Sequence, residues 1–248
     1  MQLLAATAVA ALIGASLAVA CRLLALQRRT GGLPELLLGG MLLLSVGVGY
    51  PLRIAADRMD PPWAGAFFAV SALGIGLGFS LLFVFTWRVF RPHDRWACVF
   101  AAAGVATALG KALHGCIQAY SRGAVQVMDE SAAAILLQSG PIFVAYLWTA
   151  WESLRCYGMM RRRARLGLAD AAVSDRFLLW ALMALSAAGG VSITTVALAL
   201  RVNTFHSPAV LLASSLTGLA QAALLVLAFA PPRAYLRWVR ARRAAAGV

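Results

Sequence analysis

Seven long apolar runs fill most of this chain, and they restrict its fold more than any other feature. They cover about residues 3–25, 35–55, 64–87, 97–119, 131–154, 177–200 and 208–230. A helix rises about 1.5 Å per residue, so each run reaches or nearly reaches across about 30 Å of hydrocarbon. The backbone of a lipid-exposed segment must satisfy its own hydrogen bonds, and therefore each run is predicted to be a transmembrane helix.

The composition agrees with a protein whose solvent is lipid. Hydrophobic residues make up 62% of the chain and charged residues only 12%, about half the charge of an ordinary soluble domain. The sequence therefore predicts an all-α, polytopic membrane protein, with a single bundle of seven transmembrane helices over residues 1–230. Residues 231–248 are predicted to form a basic amphipathic tail, because Leu236 and Val239 suit one helix face and Arg237 and Arg240 another.

The basic residues predict the orientation of the bundle. Of the 22 lysines and arginines, 17 lie in one set of loops and in the tail. The opposite set holds only five, namely Arg53, Arg58, Lys111, Arg122 and Arg201. By the positive-inside rule the N-terminus is expected outside and the C-terminus in the cytoplasm. The longest cytoplasmic connection is expected over residues 158–176. The abundance of Arg, Ala and Leu indicates the cytoplasmic (inner) membrane of a GC-rich bacterium.

The N-terminal run also contains Ala18, Val19 and Ala20, which have the form of a signal-peptide cleavage site. A cleaved signal carries its positive charge before the apolar segment, whereas here Arg22 and Arg28 follow it. The first run is therefore expected to remain an uncleaved span.

Several chemistries are disfavoured by residues that the chain lacks. None of its nine acidic residues lies near the middle of a run, where ion-coupled carriers usually keep one. Retinal is not expected, because the last run has no lysine to form a Schiff base. The three histidines show no zinc-ligand spacing, and no nucleophile motif occurs, so no enzymatic activity is predicted.

The fourth run carries the clearest group of candidate ligand-binding residues. Its members are Thr107, Lys111, His114 and Gln118, and their spacings of 4, 3 and 4 place them on one helix face. Arg53, Arg201 and His206 lie at the ends of other runs, on the same side of the membrane. Together they predict an outward-facing polar pocket for a small anionic or lipid-like ligand. The alternative is structural: Lys111 snorkels to the interface, and the arginines stabilise helix C-termini.

Haem is a further option at the same side. It would need His114 and His206 to face each other as the two axial ligands. No other cofactor is predicted.

Two other features bear on function. Ser139, Gly140 and Pro141 predict a bend in the fifth helix, because proline removes a backbone donor. This bend could act as a hinge between the outer pocket and the basic loop.

Arginines on the cytoplasmic side are candidates for contact with lipid or a partner protein: Arg161, Arg162, Arg163, Arg165, Arg237 and Arg240.

These observations favour a receptor-like sensor that binds its ligand outside and signals through a separate partner. One alternative is an uncoupled transporter or lipid carrier. It would need a polar path, for which the candidates are Gln138, Thr149, Thr194, Thr195, Thr217 and Gln221. A second alternative is a membrane subunit of a larger complex. Nucleic acid is not an expected partner, because the positive charge lies at the ends of apolar runs.

Overall fold

A computed structural model describes residues 1–60, 63–122, 132–166, 168, 171–202, 207–232, 235 and 237. In these residues all regular secondary structure is helical. The helices are α1 (Gln2–Thr30), α2 (Leu33–Ala56), α3 (Trp63–Phe90), α4 (Arg95–Arg122), α5 (Ala132–Arg165), α6 (Ala171–Ala199) and α7 (Pro208–Phe229). Only the backbone is described for residues 121–122, 132–134, 136–138, 165 and 171–172.

The helices have the length and composition that a membrane requires. Six of them, all except α5, are long and apolar enough to span a bilayer. Helix α5 has 34 residues, with an apolar first part and an arginine-rich end. The predicted all-helical fold, with helices long and apolar enough to span a membrane, is thus confirmed. The direction in which the bundle would cross the membrane remains a prediction.

The helices pack in chain order into a closed ring. Each helix packs against the next one in the chain, and α1 packs against α7 to close the ring. Helix α3 also contacts α5 in addition to its neighbours α2 and α4. One end of the bundle collects Arg28, Arg29, Arg88, Arg95 and Arg155, and we call it the basic end. The opposite end holds Arg53, Arg58 and Arg201.

Helices α3 and α4 approach closely because both present small residues along their contact. The buried face of α4 consists of Ala97, Ala101, Gly104, Ala108, Ala112, Gly115 and Ala119. A Cβ added at Gly76 of α3 would lie 2.6 Å from the Cβ of Ala112 and 2.9 Å from the carbonyl oxygen of Ala108. Small residues allow this proximity, and in lipid such van der Waals packing is a main source of helix association.

Helix α2 contains an eight-residue π-helical segment, Leu42–Gly49, which the sequence did not predict. The segment faces α3, where Gly74 leaves room for the backbone of α2: a Cβ at Gly74 would lie 2.9 Å from the Leu44 carbonyl oxygen. The hydroxyl of Ser71 donates a hydrogen bond of 2.7 Å to the Gly49 carbonyl oxygen. Packing against α3 thus supports a backbone geometry that is rare in isolation.

The Ser71 hydrogen bond gives a first testable effect. Ser71→Ala is expected to lower the free energy of unfolding by about 0.6–1.7 kcal/mol, because it removes an interhelical hydrogen bond in lipid. SDS titration in mixed micelles measures this change. Ser80→Ala is the control, since the Ser80 hydroxyl donates to Gly76 within its own helix. Equal losses for both variants would show that the bond to Gly49 contributes nothing specific.

The connection between α5 and α6 is shorter than the sequence indicated. Helix α5 continues to Arg165 and α6 begins at Ala171, so most of residues 158–176 are helical rather than a long loop. Arginine favours helix nearly as well as leucine does, and a helix need not end where its apolar span ends. Helix α5 also continues through Pro141.

Candidate functional site

One face of α4 has different neighbours at its two ends. At the basic end this face carries Trp96 and Phe100, which pack against Trp148 of α5. The Phe100 and Trp148 rings meet edge to face with centroids 4.9 Å apart, and those of Trp96 and Trp148 lie 6.3 Å apart. Here α5 contacts the face, although Trp96 and Phe100 both remain partly exposed.

Towards the opposite end the same face carries the four residues predicted to bind a ligand. Thr107 and His114 are exposed there, and Lys111 and Gln118 are half-buried. The hydroxyl of Thr107 donates a hydrogen bond of 2.9 Å to the Gly104 carbonyl oxygen of its own helix. The structure therefore places these side chains on a surface that is at least partly open.

On α5, two described positions close to Trp148 are open. Val144, one turn from Trp148, is exposed, and a Cβ added at Gly140 would meet nothing within 4 Å. Within the described residues, α5 packs far more extensively along α6 than along α4. We call the strip of α4 formed by Thr107, Lys111, His114 and Gln118 the Lys111 face.

Two cations from different helices lie near the Lys111 face. Arg53, in the last turns of α2, and Lys111 lie close enough for their charges to repel each other. The Arg53 guanidinium lies 4.1 Å from the centroid of the Phe68 ring and 3.8 Å from a carboxylate oxygen of Asp57. Among the described residues, no carboxylate pairs with Lys111. Together Arg53, Lys111 and Asp57 carry one net positive charge.

The other two members of the predicted pocket are less closely tied to this pair. Arg201 is exposed just beyond α6 and has a left-handed backbone (φ 56°). The following amide, that of Val202, donates a 2.8 Å hydrogen bond to the Ala197 carbonyl oxygen, so Arg201 belongs to the turn that ends α6. His206 lies outside the described residues, and with it the proposed haem ligand pair. In the part of the chain that is described, no three His, Cys, Asp or Glu side chains are grouped to hold a metal.

The residues predicted for the hinge and for partner contact are distributed along α5 and the tail. Ser139, Gly140 and Pro141 are half-buried within continuous helix. Arg161, Arg162, Arg163 and Arg237 are exposed. The side chain of Arg165 and the whole of Arg240 lie outside the description, as does most of the predicted amphipathic tail.

The residues considered for a transport path mostly take part in helix packing. Thr149 is buried and forms a 2.8 Å hydroxyl contact with Thr86 of α3. Gln221 of α7 hydrogen-bonds Tyr146 of α5. Thr194 and Thr217 donate to carbonyl oxygens of their own helices, and Thr195 is buried. The side chain of Gln138 lies outside the description.

A buried charged cluster at the basic end was not recognised from the sequence. Glu152, two residues before the end of the fifth apolar run, is only 1% exposed. Its two carboxylate oxygens accept hydrogen bonds of 2.9 and 3.0 Å from Nε of Arg91, in the short α3–α4 connection. Arg91 also donates a 2.8 Å bond to Asp94, and Arg155 lies 3.7 Å from Glu152. The cluster joins α5 to the connection between α3 and α4.

The environment keeps Arg91 charged. Burial lowers its pKa, but the hydrogen bonds from Arg91 to Asp94 and Glu152 and the charges of those carboxylates raise it, so that the net pKa shift is upward. The signal in the sequence was weak: the two partners of the main ion pair are 61 residues apart, and each looked like an ordinary charge at a membrane surface.

No family model matches this sequence, and neither comparison with characterised proteins nor comparison with solved structures finds a match. Its function must therefore be inferred from its own residues.

Proposed function

We propose that this protein binds an anionic ligand at the Lys111 face and acts as a receptor-like sensor. The observation that supports this most directly is the approach of Arg53 and Lys111 from two different helices. Thr107, His114 and Gln118 share the Lys111 face, and Arg201 lies at the same end of the bundle. These residues would offer further polar groups to a ligand bound there.

The physical reason is the cost of holding like charges together beside lipid. Two neighbouring cations repel each other, and the repulsion grows as the local dielectric constant falls. Asp57 offsets only part of this charge. A bound carboxylate or phosphate would turn the repulsion into attraction, and the planar guanidinium of Arg53 is suited to bind it with two hydrogen bonds.

The rest of the proposal concerns location and signalling. With its basic end in the cytoplasm of a bacterial cell and its Lys111 end outside, the protein would meet its ligand at the outer leaflet of the inner membrane. The exposed Arg161, Arg162 and Arg163 at the end of α5 would contact a cytoplasmic partner or anionic lipid. Helix α5 would link the two regions, since it contacts α4 through Trp148 and ends in these arginines.

Lys111→Gln is expected to weaken binding of an anionic lipid to the purified protein by about tenfold or more, which corresponds to the loss of one charge-assisted contact. Arg53→Gln should have a similar effect. Native mass spectrometry of the protein in nanodiscs containing phosphatidylglycerol measures the retained lipid.

The matched control is Arg58→Gln. Arg58 is an exposed arginine at the same end of the bundle, so its replacement removes the same charge without touching the cation pair. If all three variants lose lipid equally, the attraction is only the general charge of this end. If none loses lipid, the ligand-binding proposal is wrong.

Two other functions would give different results in simple assays. A carrier would move the bound ligand across liposome membranes, whereas a sensor would bind it without flux. A membrane subunit of a complex would purify with stoichiometric partner chains. A haem-bearing subunit would also show a Soret band that disappears in His114→Ala.

A further inference from the structure

We propose that Arg91 and Glu152 form a latch at the basic end, which holds α5 against the connection between α3 and α4 and opens by an exchange of ion-pair partners. On opening, Arg91 keeps Asp94 as its counter-charge. Glu152 takes Arg155 and water in place of Arg91, and the arginine-bearing end of α5 becomes free to move. This inference goes beyond the proposed function, and it does not depend on ligand binding at the Lys111 face.

The closed latch is a buried contact between two distant segments of the chain. Nε of Arg91 donates hydrogen bonds of 2.9 and 3.0 Å to the two carboxylate oxygens of Glu152. The side chain of Glu152 is 2% exposed and that of Arg91 is 19% exposed, so the pair is largely shielded from water. Apolar residues of the same volume often stabilise a fold as well as a buried ion pair does. The best-attested use of such a pair is to fix one arrangement or to switch between two.

Each side of the latch carries its own counter-charge. Nη1 of Arg91 donates a 2.8 Å hydrogen bond to Asp94, three residues further along the same connection. On α5, Nη1 of Arg155 lies 3.7 Å from a carboxylate oxygen of Glu152, again three residues away. The charges therefore cancel within each side as well as across the whole cluster. Separation of a simple buried pair would leave two unpaired charges, which is costly, whereas separation here leaves each side neutral.

The same arrangement recurs one turn further from the basic end. The hydroxyl oxygens of Thr86 on α3 and Thr149 on α5 lie 2.8 Å apart. Each is also 2.9 Å from the carbonyl oxygen four residues earlier in its own helix, that of Leu82 for Thr86 and that of Ala145 for Thr149. If α5 moves away, each hydroxyl can donate to its own helix, so that no buried donor is left without an acceptor.

The packing around the latch is sparse enough for α5 to move. Among the described residues, α5 packs extensively along α6 but has few contacts with α3 and α4, and elements with low contact density open at the lowest free-energy cost. Near the latch, α6 meets α3 through the ring pairs Phe85–Trp180 and Phe90–Phe177, with centroids 5.1 and 6.3 Å apart. Ring pairs are favourable over a range of separations, so α5 and α6 can shift together while these contacts adjust.

Double electron–electron resonance on the whole protein in nanodiscs measures the opening. Nitroxide labels at Val99 of α4 and Met159 of α5, both exposed, report the distance between the two sides of the latch. The four native cysteines are replaced by alanine so that only these positions are labelled.

Glu152→Gln is expected to raise the ratio of long to short label distances by about tenfold or more, which corresponds to the loss of a charge-assisted hydrogen bond. The variant leaves Arg91 paired with Asp94, so it creates no unpaired buried charge. The double variant Arg91→Met with Glu152→Gln should show the same long distance. Thermal unfolding verifies that each variant is folded.

Arg155→Gln is the matched control. It removes a charge from the same cluster, but that charge is the partner of Glu152 in the open form, so the short distance should persist or narrow. Asp94→Asn should act in the same direction, because it removes the open-form partner of Arg91.

The outcomes separate this inference from the proposed function. If Glu152→Gln and Arg155→Gln lengthen the label distance alike, partner exchange does not occur and the inference is overturned. If neither Glu152→Gln nor the double variant lengthens it, packing alone holds α5, and the latch is equally overturned. Neither result affects anion binding at the Lys111 face, which Lys111→Gln tests separately.

Discussion

Arg91→Met is expected to destabilise the protein by about 3–5 kcal/mol, which is the usual cost of removing one partner of a buried ion pair. The variant leaves Glu152, whose side chain is only 2% exposed, with Arg155 as its nearest cation. At 3.7 Å and 47% exposure, Arg155 cannot replace two direct hydrogen bonds. The free energy of unfolding, measured by SDS titration in mixed micelles, should show the loss.

Two further variants make the Arg91 experiment specific. Arg155→Gln removes the other cation near Glu152 and should cost no more than about 1 kcal/mol, as exposed ion pairs do. The double variant Arg91→Met with Glu152→Gln should lose less free energy of unfolding than the two single variants lose together, because it leaves no unpaired charge at Glu152. Strict additivity would mean that Arg91 and Glu152 are not energetically coupled.

Gly76→Ala is expected to lower the free energy of unfolding by about 1–3 kcal/mol, through overpacking of the α3–α4 contact. The added methyl group would lie within 3 Å of both Ala112 and the Ala108 carbonyl oxygen. Neither is the end of a flexible side chain, so the two helices would have to move apart. Thermal unfolding and SDS titration both measure the change.

Gly110→Ala on α4 is the control for this substitution. The added methyl would meet nothing within 4 Å, and alanine favours helix over glycine by about 1 kcal/mol. This variant is therefore expected to be as stable as the parent or more so. A loss of stability equal to that of Gly76→Ala would refute the view that close packing, rather than glycine itself, matters at Gly76.

The number and approximate limits of the helices followed from the sequence, because long apolar runs with polar breaks have few solutions in lipid. The position of Arg53 at the end of one run and Lys111 near the same side of another likewise predicted that the two cations lie at one level of the bundle. Helical periodicity correctly grouped Lys111 with Thr107 and His114 on one face. These features depend on residues that are near each other in the chain or on the thickness of a bilayer.

Features that depend on contacts between distant segments could not be predicted in this way. The burial of Glu152 requires Arg91 from another part of the chain, and nothing around either residue indicates the partner. The π-helical geometry of α2 depends on Gly74 and Ser71 of α3. The aromatic contact of Trp148 with Phe100 and Trp96 joins two helices whose contacting residues are about 50 positions apart, and no local pattern indicates it.

The π-helical segment of α2 has a consequence for the cation pair. Hydrogen bonds in such a segment span one more residue than in an α-helix. The residues that follow the segment are therefore rotated about the helix axis, compared with their positions in a regular α-helix. Each residue of a helix turns the chain by about 100°. The direction in which Arg53 points, over Phe68 and towards Lys111, is therefore tied to the number of residues between Leu42 and Gly49. In this helix, the number of residues in the π-helical segment therefore sets the direction in which the Arg53 side chain leaves the helix.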